Sequence, residues 1–343
     1  MKIIFCSSYL EAPTTVTRIE TAQDDFVIVT SNSSLEQFFI SLYPRDKIIL
    51  IKTPPPLLTR SVFGTIKNQI TINTIKKETW ERLKGFKDCE VYFSALAYCE
   101  FEAWLALKLL KNNTVFYKPV VTLKGLKVRY TVYSILYLIL NKLIYGLNLQ
   151  PLWNGKCFQC SVVNYFLNNK KIVKADFPVN RDIIQKHPAS YVKDKSVLLL
   201  VGGITENGLV SEDEYIHKMD ELINYLIRKF GLGRLVIKRH PLSLKFYSRE
   251  NEIAVIPHFV PANLIFTFFK VVIGYQTAGL FEAANENKTA VSLLKYFRSR
   301  DENVRMNYIN YLKSNTAKTI YFPATVRELD LILDKSDTGG NHP

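Results

Sequence analysis

The sequence predicts an α/β protein of two domains, each built on a parallel sheet. Strand-like runs alternate with helical patterns along nearly the whole chain, which is the signature of parallel strands joined by crossover helices. Several of these runs are apolar throughout and rich in β-branched residues, as strands covered on both faces must be. A length of 343 residues is long for one core and comfortable for two.

In the first half the expected strands are Lys2–Cys6, Phe26–Thr30, Lys47–Lys52, Glu90–Phe93 and Thr114–Tyr117. Helical patterns cover Leu35–Leu42, Thr65–Leu83 and Glu100–Leu110. In the second half the expected strands are Ser196–Val201, Leu235–Lys238, Ile253–Ile256, Val271–Gly274, Ala290–Leu294 and Thr319–Phe322. Their helices are Glu212–Phe230, Ala278–Asn285 and Glu302–Leu312. Ser211 followed by Glu214 reads as a capping box opening the first of these.

The stretch Asn169–Lys195 is polar, with Pro178 and Pro188. It places a linker near Ala175–Lys195, between an N-terminal Rossmann-like domain over 1–180 and a C-terminal one over 190–330. Residues 331–343 are expected as a tail, polar and glycine-containing from Asp337 onward. Met1–Cys6 is a short apolar run without the long apolar core of a signal peptide. A first strand in a cytoplasmic protein is the expectation.

One region departs from the alternation. Tyr130 to Leu149 is almost continuously apolar and approaches the roughly 20 residues of a membrane span. Asn141, Lys142, Gly146 and Asn148 interrupt it, and Lys124, Lys127 and Arg129 precede it. Three readings stand open: a span, a helix lying in a membrane interface, or a buried helix of the first domain.

Hydrophobic residues make up 48% and charged residues 22% of the chain, which is the composition of a folded protein. The formal charge of +14 calls for an acidic partner: nucleic acid, anionic lipid or a phosphate-bearing substrate. The chain carries no helix-turn-helix signature, zinc finger or aromatic RNA-binding motif, so nucleic acid is not the expected partner. Five cysteines, odd in number and scattered, do not form a disulfide framework. The lone pair Cys157 and Cys160 reads as ordinary thiols.

Five histidines exist. His342 is in the tail, His217 on the polar side of a helix, and His187 in the linker. His258 follows a strand and suits the rim of a cleft. His240 has the best context, because Pro241 keeps its backbone extended at the end of a strand. Glu206 lies past another strand end, after Gly202-Gly203, and partial desolvation there would make it a usable general base. Gly274–Gly279 ends a strand and opens a helix, where amides and the Thr277 hydroxyl can seat a phosphate. No Walker loop, dinucleotide fingerprint or paired carboxylates at a strand end is present.

Taken in order, Glu206-Asn207-Gly208, His240-Pro241 and Thr277 resemble the acidic, His-Pro and Ser/Thr motifs of bacterial sialyltransferases of the lipooligosaccharide and polysialic acid type (glycosyltransferase family 52 and relatives). The run Gly203–Tyr215 and the segment Ile256–Asn263 are similar to that group as well, and the likeness covers about Ser196 to Leu294. Asn207 stands in the second acidic place, Asn263 where a glutamate is usual, and Gln276 where a serine is usual.

The resemblance implies a GT-B-like fold, with two Rossmann-like sheets facing a central cleft. It implies CMP-sialic acid as donor and a metal-independent, inverting transfer that needs no cofactor. Glu206 would take the acceptor's proton and His240 would bond the leaving phosphate. Gly203, Lys238, Pro241, His258, Asn263, Gln276 and Thr277 are the donor-binding candidates. Strand alternation puts only one of Lys238 and Arg239 on the side of His240. The acceptor would be a lipid-linked or lipid-A-linked oligosaccharide, and the protein is expected to sit in the cytoplasm and touch the anionic inner-membrane surface through Tyr130–Leu149 and its basic flank. Two rivals remain: another surface-polysaccharide glycosyltransferase, such as one for Kdo, and a non-catalytic basic binding protein.

Overall fold

The computed structural model describes the chain except residues 23, 60, 94–99, 118–126, 155–156, 161–170, 176–178, 181–182, 184–195, 203–207, 240–251 and 339–343. The chain divides into two compact units, Met1–Asn180 and Arg181–Pro343.

Unit 1 holds β1 (Lys2–Phe5), α1 (Ala12–Ala22), β2 (Phe26–Thr30), α2 (Ser33–Leu42), β3 (Ile48–Leu50), α3 (Val62–Leu83), β4 (Glu90–Phe93), α4 (Glu100–Leu109) and β5 (Thr114–Tyr117). It continues through β6 (Lys127–Val128), α5 (Val132–Tyr145), β7 (Pro151–Asn154), β8 (Cys157–Cys160) and β9 (Val173–Lys174). Its main sheet is parallel, in the order β3-β2-β1-β4-β5-β9. A second, antiparallel sheet, β6-β7-β8, was not expected. The Cys157/Cys160 pair belongs to its last strand.

Unit 2 holds β10 (Val197–Val201), α6 (Glu212–Phe230), β11 (Leu235–Arg239), β12 (Ala254–Ile256), β13 (Val271–Gly274) and α7 (Gly279–Asn285). It ends with β14 (Thr289–Ser292), α8 (Glu302–Ser314), β15 (Ile320–Tyr321) and α9 (Val326–Thr338). Its sheet is also parallel, in the order β12-β11-β10-β13-β14-β15. Both sheets therefore start at an inner strand, wind outward to one side, and return to wind out on the other. Two such doubly wound units in one chain are the composition of the expected α/β class.

The strands form where both faces can be covered. All five residues of β10 and all four of β13 are buried. The helices carry local stop and start signals. The Asn32 carboxamide oxygen accepts from the Ser34 and Leu35 amides at 2.9 and 3.3 Å, opening α2. Thr131 and Ser134 form a reciprocal capping box at α5, and Gly146, with φ 70°, closes that helix.

Three expectations need correction. The Ser211–Glu214 capping box is half formed. Ser211 Oγ accepts from the Glu214 amide, but the Glu214 carboxylate turns away to accept from the Arg298 amide. Residues from 331 onward do not begin a tail. Residues 331–338 continue α9, because Leu329 and Leu333 are buried in the core of unit 2. The apolar run 130–149 is a helix only from Val132 to Tyr145. No helix among the described residues is long and apolar enough to cross a membrane.

Candidate functional site

In a doubly wound sheet the ligand crevice opens at the carboxyl ends of the two strands where the winding reverses. In unit 2 those strands are β10 and β13. Of the described sequence candidates, Gln276 and Thr277 follow β13, and Lys238 lies in β11 beside β10. The loop after β10 leads to the acidic motif, the end of β11 leads to His240, and the turn after β13 carries Gln276 and Thr277. Val201 pairs with Arg239 across β10 and β11, so the two leading strands end side by side. Gly203, Glu206, His240 and Pro241 themselves lie outside the described residues. The glycines bracketing the acidic loop are conformationally required: φ is 145° at Gly202 and 67° at Gly208, values that a side chain disfavours.

The turn after β13 is tightly built. The Gly279 amide donates to Thr277 Oγ1 at 3.2 Å. The hydroxyl thus accepts inside the turn. A Cβ at Gly274 would stand 2.9 Å from Thr277 Cγ2 and 3.3 Å from Leu200 Cβ. One at Gly279 would stand 2.9 Å from Phe266 Cζ. Larger residues at either glycine would push Thr277 or the underlying strand. Asn263 sits in a short 3-10 turn, Ala262–Leu264, which packs on α7. The fold therefore brings Asn263 and Thr277 to one helix.

Lys238 is buried, and its ammonium donates to the backbone oxygens of His258 at 2.9 Å and of Arg239 at 3.2 Å. Burial pushes it down to about 8. Lys238 is in register with Leu200, and Leu200 with Gly274. Neighbouring residues of a parallel sheet share a face, so Lys238 lies on the face of Leu200, which underlies the Thr277 turn. Its described partners are carbonyls, which tie the β11 end to the loop after β12. His258 gives its carbonyl to this tie and leaves its imidazole exposed.

Two further groups escaped sequence reasoning. Glu282, in the first turn of α7, is pushed up to about 7 by burial and then by Glu286. An acid one turn past the Thr277 turn was the available signal. Lys295, Arg298 and Arg300 are exposed in the loop after β14. The Arg300 amide donates to the Leu209 carbonyl at 2.8 Å, and the Arg298 amide to Glu214. The loop is thereby fastened to the segment after β10, and three cations stand at the same sheet edge, a setting that favours an anion.

Unit 1 has its own reversal, between β1 and β4. Its edge is closed by carboxylates. Glu11 accepts from the Ser7 and Ser8 amides at 2.8 and 3.3 Å, and buried Glu102 accepts from Ser7 Oγ. Burial raises the Glu102 carboxyl. Burial, and then Glu11, raises the Cys6 thiol. Glu100, also raised by burial, accepts from Tyr137 Oη at 2.8 Å.

No protein-family model matches the sequence, and no curated protein matches it. Solved structures of similar shape include UDP-GlcNAc 2-epimerase from Methanocaldococcus jannaschii. It is 14% identical, with 100% of this chain and 94% of that one covered, at a TM-score of 0.48. The E. coli heptosyltransferase WaaC with ADP is 12% identical over 98% of this chain and 100% of its own, at 0.49. The wall teichoic acid polymerase TagF is 12% identical over 98% and 80%, at 0.47. Likenesses at these values decide neither activity nor donor.

Proposed function

We propose that the protein is a glycosyltransferase that binds its nucleotide-sugar donor at the β10–β13 reversal, and that the donor is CMP-sialic acid. The observation that carries this reading is the order of three segments on three neighbouring strands. An acidic loop follows β10, a His-Pro pair follows β11, and a hydroxyl-bearing turn follows β13. Glu206 is the base for the acceptor hydroxyl. His240 bonds the phosphate as CMP leaves, and the Thr277 hydroxyl donates to the same phosphate. Lys295, Arg298 and Arg300 supply positive potential where negative charge collects on the leaving group. Lys238 holds the His258 loop against the end of β11. The transfer inverts the anomeric centre and runs without a metal. The acceptor is a glycan hydroxyl on a lipid-linked or lipid-A-linked oligosaccharide, met at the cytoplasmic face of the inner membrane.

A donor screen tests this reading. Incubation with CMP-sialic acid, CMP-Kdo and several UDP- and GDP-sugars should release nucleotide from CMP-sialic acid alone, and in EDTA as well. CMP, and not UDP or GDP, should raise the melting temperature. Release from CMP-Kdo instead would make the protein a Kdo transferase, and equal stabilisation by UDP would remove the CMP assignment. Loss of a general base costs about 10²–10⁴-fold in rate. Glu206→Gln and His240→Ala should therefore each fold normally and lose at least roughly a hundredfold in turnover. His187→Ala, in the linker His-Pro pair, should change little. The reverse result for His187 and His240 would move the site.

A further inference from the structure

The helix α5 joins the core through Ile144 and Tyr145 at its end, yet it also turns polar residues inward and an apolar stripe outward. Its inward positions include Ser134 and Asn141, both 0% exposed. Its outward positions are Val132, Ile135, Leu136, Ile139 and Leu143, the last 75% exposed. These recur at the three- and four-residue spacing that makes one continuous stripe. Tyr130 and Tyr133 are exposed at its start, and Lys142 stands beside Leu143. A second apolar element of the same unit is the start of α3. Nothing in that helix is buried before Ile72, and Val62, Phe63, Ile66 and Ile70 are exposed, Phe63 by 81%. The two helices meet where Lys76 Nζ donates to the Ile144 carbonyl.

Charge identifies the occupant of this surface. The 73 residues from 103 to 175 contain ten lysines, Arg129 and no carboxylate. Residues 47 to 77, which include the start of α3, contain five lysines, Arg60 and no carboxylate. Among the described residues, Arg129 and Lys142 are exposed beside the α5 stripe and Lys67 is exposed within the start of α3, and such a basic rim attracts a negative partner. A partner that is negative at its rim and apolar beneath is an anionic bilayer. At 14 residues, α5 is about 21 Å long, short of the roughly 30 Å hydrocarbon layer. Such a helix lies in the interface plane.

We propose that the outer face of α5, with the first turns of α3, is the surface by which the protein lies on an anionic phospholipid membrane. This holds whichever sugar is transferred. The test is co-sedimentation of the full-length protein with vesicles of phosphatidylcholine, with and without phosphatidylglycerol, at low and high salt. Binding is expected to the phosphatidylglycerol vesicles at low salt and to fall as salt screens the charges. Ile139→Ser and Leu143→Ser should each keep the melting temperature and weaken vesicle binding by roughly tenfold or more. Phe63→Ser should also weaken it. Unchanged binding in Phe63→Ser removes α3 from the surface. The proposal is overturned by absence of binding to phosphatidylglycerol vesicles, or by α5 variants that bind as the wild type does. A dimer in solution that the same α5 variants dissociate also overturns it, since a second copy then covers the face.

Discussion

Two helices of this protein make opposite use of their apolar residues. In α6, Tyr215, Met219, Leu222, Ile223, Tyr225 and Leu226 face inward, while Glu212, Asp213, Lys218, Glu221 and Arg228 are not buried. In α5 the inward face includes a serine and an asparagine, and the apolar stripe is outside. By its share of apolar residues alone, α5 would be the better core helix. The position of the polar residues distinguishes the two, because a core helix hides its apolar stripe and an interface helix displays it.

The widest gap between the helices should appear on truncation. Leu222→Ala removes a fully buried side chain of α6 and should cost about 2–5 kcal/mol in chemical denaturation. A loss below one kcal/mol would mean that α6 is no more embedded than α5. The next effect concerns buried charge, which α5 lacks on its inner face. Glu282 on α7 titrates near 7 in the folded state, against an ordinary 4.5. Between those values the folded state holds the proton that the unfolded state has lost, so stability falls as pH rises through the window. Glu282→Gln fixes the neutral form. It should match the wild type at pH 4 and exceed it by on the order of 2 kcal/mol at pH 8. A pH-independent difference would refute the assignment.

Asn141 tests the inner face of α5 itself. Its amide donates to the Tyr137 carbonyl at 3.3 Å, a long bond by ordinary standards. Asn141→Leu should change stability by no more than about 1 kcal/mol. A loss beyond that would show that the polar interior is structural rather than merely tolerated. The smallest effect belongs to the outer face: Ile139→Ser should stay within about 0.5 kcal/mol of the wild type in the absence of lipid. A large loss there would make α5 an ordinary core helix.

The parallel strands were the most legible part of the fold, for a physical reason. Val197–Val201 and Val271–Gly274 are covered on both sides, so their sequences are apolar without alternation. Short edge strands left no such trace; β9 is only two residues long. The helix α1 was hidden by its composition, Ala-Pro-Thr-Thr-Val-Thr, where proline and β-branched residues argue against helix. Pro13 is accommodated because the first turn needs no amide there. For the site, the order of segments along the sheet edge could be read, since strand ends are marked in sequence. The burial of Lys238 could not, because a lysine ending an apolar run looks like the point where a strand surfaces. Its amine is instead drawn under the chain by the His258 carbonyl. The orientation of α5 was also unreadable, since its stripe is as regular outward as it would be inward.

The two hydrophobic cores carry one more consequence. Among the described residues, one draws on residues between Ile3 and Ile172, the other on residues between Val197 and Leu333. Cooperativity in unfolding is inherited from a shared core, and a chain with two cores has two equilibria. If the two cores unfold as separate cooperative units, heating resolves two transitions, each with its own midpoint. A ligand that binds only folded unit 2 adds its binding free energy to the equilibrium of that unit. Under the proposed site, the transition that moves on adding CMP should be that of unit 2.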